Sequence, residues 1–365
     1  MAHEAMTAPA AAAVSEHMPR YPNLAGWRGI SILSVLACHL LPLGPTRLHL
    51  NELAGLLGMC LFFSLSGFLI TSTLIFNPSV RSFSIRRLMR IVPLAWLFVA
   101  IAAVIVGMDA ITLVAHLFFF ANVPPYWLTD LTSHLWSLCT EMHFYVFIAV
   151  AALVLRRRVF VLIPVLCVGF TVARIVYHHP VSIFTPFRVD EILSGAWLAT
   201  CVHRDRLADL PGRFLRFDLT RRRATGPVVC VAVVLLLVAC MPTVVPMNYA
   251  RPYLAAALVG ITMVATDPWW AKALSNKRLA YVAEISYALY IWHPLMVHGF
   301  MGSGSAMVRY AKRIPALLAT FGVAHISTRY FEQWFIDLGK QWTRTRPPGG
   351  REITRDDRAV VGTTG

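Results

Sequence analysis

An arginine and a histidine stand eleven residues apart inside the first long apolar stretch, LAGWRGISILSVLACH at 24–39. At about 100° per residue that separation is three turns plus roughly 20°, so a helix puts Arg28 and His39 on one face. At about 1.5 Å of rise per residue, His39 lies roughly 16 Å further along the axis. An ionisable side chain in a membrane helix is costly, faces the protein interior and marks a functional site by default. Two readings stand. One is a polar track running into the membrane; the other is an arginine that snorkels and a histidine that is merely hydrogen-bonded.

Further groups of the same kind follow along the chain. In RSFSIRRLMRIVP, Arg86 and Arg87 are adjacent and Arg90 comes about one helical turn later, so a helix groups all three at one membrane surface. Such a cluster suits a topology anchor, a lipid headgroup or a phosphorylated ligand gripped by bidentate guanidinium groups. HLWSLCTEMHFY carries His134, Ser137, Glu141, His143 and Tyr145, and its carboxylate sits at a depth where it needs a partner or water. The spacing of His134, Glu141 and His143 is not a recognised zinc pattern, so no metal site is expected. FRVDEILSG places Arg188, Asp190 and Glu191 together, as an ion pair that stabilises the bundle or as part of a site. In ISYALYIWHP, Ser286, Tyr290 and His293 are four and three residues apart and form a second polar stripe. Ordinary interhelical hydrogen bonding accounts for that stripe equally well.

Composition says what must position these groups. Of 365 residues, 57% are hydrophobic and only 14% charged, and the mean hydropathy is +0.62. A soluble domain is about a quarter charged. The fold class expected is all-α, a polytopic membrane helix bundle embedded in a lipid bilayer. About ten transmembrane helices fit the apolar windows near 24–43, 55–75, 91–108, 135–155, 159–177, 183–202, 227–245, 250–266, 281–300 and 314–335. The shorter run 111–121 reads as an interfacial or re-entrant piece. The organisation expected is a flexible leader at 1–23, a transmembrane domain at 24–336 and a basic, disordered tail at 337–365. Ser64, Ser66 and Gly67 in the second window allow close helix approach.

The net charge of +15 does not point to nucleic acid, because the arginines concentrate in short loops between apolar runs. Arg81 to Arg90, Arg156 to Arg158, Arg204 to Arg223, Lys272 to Arg278 and the tail from Lys340 all fall on one side of a ten-span arrangement. By the positive-inside rule that side is cytoplasmic and both termini lie there. Arg309, Lys312 and Arg313 are the exception. The seven cysteines are scattered, lack metal or redox spacing, and read as buried thiols.

The ordered set of motifs resembles the acyltransferase 3 family of membrane-bound acyl-group transferases, which modify sugars of surface polysaccharides and some secondary metabolites. The pieces that carry it are Arg28-x10-His39, LFFSLSGFLI at 61–70, RRLMRIVP at 86–93, the motif from His134 to Tyr145, RVDEILSG at 188–195 and ISYALYIWHP at 285–294. Three positions depart from the family pattern. Ala25 stands where an Asp is usual, Met142 where a second acid is usual, and Trp334 where a Pro is usual, and these bear on substrate fit and local structure. The resemblance implies an O-acyltransferase of the bacterial inner membrane that moves an acyl group, acetyl first among them, from acyl-coenzyme A to a sugar hydroxyl. It implies catalytic roles for His39 as general base, Arg28 and Glu141, and donor binding by Arg86, Arg87 and Arg90. Ser137, Tyr145, Arg188, Asp190, Ser286, Tyr290 and His293 then line the acceptor or hold the polar track. No bound cofactor or metal is implied. The partners expected are acyl-coenzyme A, a sugar-containing acceptor and polysaccharide assembly proteins. A transporter or flippase of a lipid-linked sugar or small metabolite uses the same polar track and is the competing reading.

Overall fold

The computed structural model describes residues 19, 21–212, 216, 225–264, 268–298 and 305–343. Fourteen α-helices and no strand occur among the described residues. In chain order they are α1 (Pro22–Leu40), α2 (Leu50–Phe76), α3 (Val80–Val106), α4 (Ala110–Leu117), α5 (Trp136–Leu155), α6 (Val159–Val176) and α7 (Asp190–Val202). There follow α8 (Gly226–Ala239), α9 (Val245–Val264), α10 (Pro268–Leu274), α11 (Lys277–Glu284), α12 (Ser286–Val297), α13 (Ala306–Ile326) and α14 (Gln333–Trp342). Among the described residues, three helical stretches, 50–76, 80–106 and 133–176, are long and apolar enough to cross a membrane. Each of the ten apolar windows overlaps one helix or a consecutive pair, and the 111–121 run overlaps the eight-residue α4. The chain is a membrane helix bundle.

Local chemistry sets the helix ends. Ser79 and Asp109 accept hydrogen bonds from the backbone N–H groups of Ser82 and Thr112 at 3.3 and 2.6 Å, capping α3 and α4. Gly107 ends α3 with φ of 64°, a conformation that glycine adopts without strain. Between α13 and α14 the chain continues as a π-turn over Ser327–Glu332, an irregularity often found at functional sites.

Bilayer tails are as apolar as leucine, so helices in a membrane associate through close packing and polar contacts rather than burial alone. Helix α2 is the central element here, packed on both α1 and α7. A Cβ added at Gly67 would run into the Ile192 carbonyl, and one at Gly195 into the Ser64 carbonyl. The α2–α7 contact is therefore backbone on backbone, as the small residues of 64–67 suggested. Six of the seven cysteines are buried or half-buried, and none of the seven is in a disulfide. Cys60 and Cys240 approach to 4.0 Å between sulfurs as thiols.

The leader before Pro19, Arg213, Arg221 to Arg223 and the tail from Arg344 lie outside the described residues.

Candidate active site

The polar faces of α1 and α12 meet. At one level Arg28 Nε donates to Ser286 Oγ at 2.9 Å, and Ser286 in turn donates to the Ala283 carbonyl at 2.8 Å. Further along, the His39 and His293 rings lie 5.1 Å apart between centroids. His293 is anchored through Nδ1 on the Tyr290 carbonyl at 2.8 Å. The two stripes read separately from α1 and α12 are one interface.

Two clusters grow from this interface. The first surrounds Arg28, which lies within electrostatic range of Arg90, Glu141, Tyr145 and Arg87. Tyr145 donates to Glu141 Oε1 at 2.5 Å, one helical turn away on α5. The Arg87 guanidinium lies 5.8 Å from the centre of the Tyr145 ring and 5.9 Å from that of Phe83. Glu332 joins from the π-turn, buried, accepting from Thr328 Oγ1 at 2.9 Å and interacting with Arg90 and Arg28. Three arginines and two carboxylates thus share one patch. Such a surplus of guanidinium can hold a phosphorylated or carboxylated ligand.

The second cluster surrounds His39 and is nearly free of fixed charge. His134 stands 5.3 Å from His293 and 5.2 Å from Tyr290 between ring centroids. The Tyr290 hydroxyl lies 2.5 Å from Ser137 Oγ and also donates to the His134 carbonyl. Neither ring nitrogen of the buried His134 has a side-chain hydrogen-bond partner among the described residues. Arranged this way, the cluster offers one reachable imidazole, His39, and further polar atoms around the same space.

Arg28 of the first cluster lines one cavity, and His39, His134 and Tyr290 of the second line another. One of about 500 Å³ is lined by Arg28, Ala25, Ser66, Phe62 and Glu284 and lies towards the arginine-rich end of the bundle. Another of about 390 Å³ is lined by His39, His134, Tyr290, Ser133 and Trp136 and lies towards the opposite end. Phe62 belongs to the first and Tyr290 to the second, and their rings run nearly parallel with centroids 6.4 Å apart. Those two rings stand between the cavities.

The structure separates one expected cluster and supplies partners that the sequence left open. Arg86 does not join Arg87 and Arg90: it is exposed, and its Nε donates to Thr343 Oγ1 at 2.8 Å beside α14. Glu141 accepts from Tyr145 and lies within electrostatic range of Arg28. Arg188 pairs with Glu191 at 3.2 Å, an arginine–carboxylate pair of the kind read from FRVDEILSG, while Asp190 takes Arg174 at 2.5 Å. Glu191 also accepts from Arg251 at 2.9 Å, so a buried network of three arginines and two acids ties α6, α7 and α9 together. Arg188 lies 5.1 Å from the Trp136 ring, behind the His39 cavity. Sequence reasoning passed over Arg174, Arg251 and Glu332. All three are ionisable residues within apolar windows, which is the signal that would have found them.

Comparison with known proteins bears on what such a site does. The family model described as an acyltransferase domain matches residues 21–326. This chain belongs to the acyltransferase 3 family. Relatives include the "Putative O-acetyltransferase" of Staphylococcus aureus strain COL, 26% identical over 89% of this chain and 59% of the relative. The peptidoglycan O-acetyltransferase OatA of Listeria monocytogenes is 26% identical over 85% of this chain and 55% of its own length. The chain therefore spans little more than half the length of the curated relatives it matches. No solved structure matches the chain. The motifs that carried the resemblance lie within the matched region, and the Arg28 and His39 clusters are built from them. Glu332 lies just beyond it.

Proposed function

We propose that this membrane acyltransferase moves an acetyl group from acetyl-coenzyme A to a sugar hydroxyl of a surface polysaccharide, glycolipid or secondary metabolite. It would sit in the bacterial plasma membrane with its arginine-rich loops and both termini in the cytoplasm, following the positive-inside rule. The observation that carries the reading is the pair of cavities at the two ends of one polar interface. Arg28 lines the cavity towards the basic end, and His39 lines the cavity towards the other. A long, thin donor would enter from the basic end, its phosphates against Arg87 and Arg90 of the patch around Arg28. The acceptor would reach His39 from the opposite end, which is where a surface sugar is found.

In this reading neutral His39 takes the proton of the acceptor hydroxyl as that oxygen attacks the thioester carbonyl. A carbon–oxygen bond forms and the carbon–sulfur bond breaks. The departing thiolate then recovers the proton from the imidazolium, leaving the ester and free coenzyme A. Histidine suits the step because its ordinary pKa is close to working pH. Arg28, held by Ser286, orients the donor or stabilises its charge. Glu141, tied to Tyr145, offsets part of the guanidinium charge so that the patch can bind and release an anion. Ser137, Tyr290, His293 and His134 would line the acceptor. Arg188 and Asp190 act at one remove, through the ion network behind Trp136. Transfer through an acyl-histidine is a second route to the same product.

The test is release of free thiol from acetyl-coenzyme A by membranes containing the wild type or His39→Ala, with a panel of sugar acceptors. Acceptor-dependent release that disappears in the variant supports the reading. Equal release from both removes His39 as base. Movement of a lipid-linked sugar without consumption of acetyl-coenzyme A would instead favour a flippase.

A further inference from the structure

A groove of about 1130 Å³ lies at the basic end of the bundle, where the ends of α2 and α5 meet the starts of α3 and α6. It shares no lining residue with either cavity of the candidate active site. Its floor is apolar, including buried Leu74 and Phe160, and its wall runs through Leu153. Leu153 is 66% exposed and Val154 beside it 73%, so the floor continues outward onto the apolar side of α5 that faces lipid.

Its rim is cationic. Arg157 is committed, held bidentately by Asp209 at 2.9 and 3.0 Å. The rim carboxylate Asp205 is exposed and lies 3.7 Å from Arg204. Arg81 and Arg156, by contrast, line the groove with no side-chain partner among the described residues. Arg156 also ends α5 with φ of 53° and ψ of −134°. A side-chain-bearing residue rarely adopts such a backbone, and conformations of this kind gather at binding sites.

We propose that this groove is a site for one anionic phospholipid, its phosphate between Arg81 and Arg156 and its proximal acyl chain along Leu74, Leu153 and Phe160. The charge at the rim selects an anion. The apolar floor selects a tail, and its continuity with the lipid-facing side of α5 lets the molecule enter from within the bilayer. A soluble nucleotide would leave that floor uncovered. A headgroup phosphate near a membrane-surface arginine is worth about 1 kcal/mol per side chain. Two such contacts correspond to a preference of roughly thirtyfold for the anionic lipid.

The experiment is native mass spectrometry of the full chain in detergent, titrated with phosphatidylglycerol or the zwitterionic phosphatidylcholine. It compares wild type, an Arg81→Gln/Arg156→Gln double variant, and a charge-matched Lys277→Gln/Arg278→Gln control. All four side chains are exposed, so none of the substitutions threatens the fold. Wild type and control should retain one phosphatidylglycerol at least tenfold more tightly than phosphatidylcholine, and the double variant should lose that preference. Equal retention by the double variant and wild type overturns the proposal. So does an equal loss in the control, which would mean diffuse surface charge. Displacement of the lipid by 3′,5′-adenosine bisphosphate at comparable concentration would assign the groove to a soluble nucleotide instead.

Discussion

The His39 and His293 rings face each other 5.1 Å apart, and near the start of α12 Ser286 accepts from Arg28 at 2.9 Å. Helices α1 and α12 thus lie side by side with their polar faces in register along the whole interface. That register places an imidazole at one end of a polar seam and a guanidinium at the other, with the Phe62–Tyr290 pair between their cavities.

If His39 is the base, replacing it with alanine should lower the turnover of acceptor-dependent transfer by about 10²- to 10⁴-fold, the usual contribution of general base catalysis. The KM for acetyl-coenzyme A should change little, because the donor's phosphates lie at the other cluster. Steady-state kinetics on purified protein separates the two parameters. A fall in donor affinity with unchanged turnover would place His39 in binding rather than chemistry.

The three arginines of RRLMR should not behave alike. Arg90 interacts with Glu332 and Glu141, whereas Arg86 is exposed and bonded to Thr343. Arg90→Gln is expected to raise the KM for acetyl-coenzyme A by about tenfold or more, a loss of about 1.4 kcal/mol. Arg86→Gln should change it by no more than a few-fold. Equal effects would mean that the three side chains act as one cluster.

Glu191 bridges Arg188 and Arg251, all three fully buried. Removing the carboxylate strands two guanidinium groups out of water, which costs about 3–5 kcal/mol. Glu191→Gln should therefore melt well below wild type in detergent, while the exposed Asp337→Asn, paired with Lys340 at 2.8 Å, should not. Comparable melting of the two variants would show that the network contributes little to stability.

Tyr290→Phe keeps the ring but removes the hydroxyl shared by Ser137 and the His134 carbonyl. The expected loss is about 1 kcal/mol of stability, with turnover lowered if His134 and Ser137 help to hold the acceptor. Gly67→Ala is expected to do more, because its Cβ would strike the Ile192 carbonyl and force α2 away from α7. Yield of monodisperse protein and thermal melting read both effects.

Much of this molecule was legible in the chain. Apolar windows marked the helices because a bilayer core demands runs of matching length. A spacing of eleven put Arg28 and His39 on one face because helical geometry is local. The order of motifs indicated the family. Partnership was not legible. Arg86 parts from Arg90 because α14 brings Thr343 to its side. Asp190 turns to Arg174 and leaves Glu191 to Arg188 and Arg251 because of where α6 and α9 pack. Glu332 enters the arginine patch through a π-turn that no periodicity announces. Hydropathy and helical phase depend on residues within one segment, so the sequence alone determined them. Which charges meet depends on contacts between helices far apart in the chain, chosen by small residues and polar groups at their crossings, and only the tertiary structure decided it.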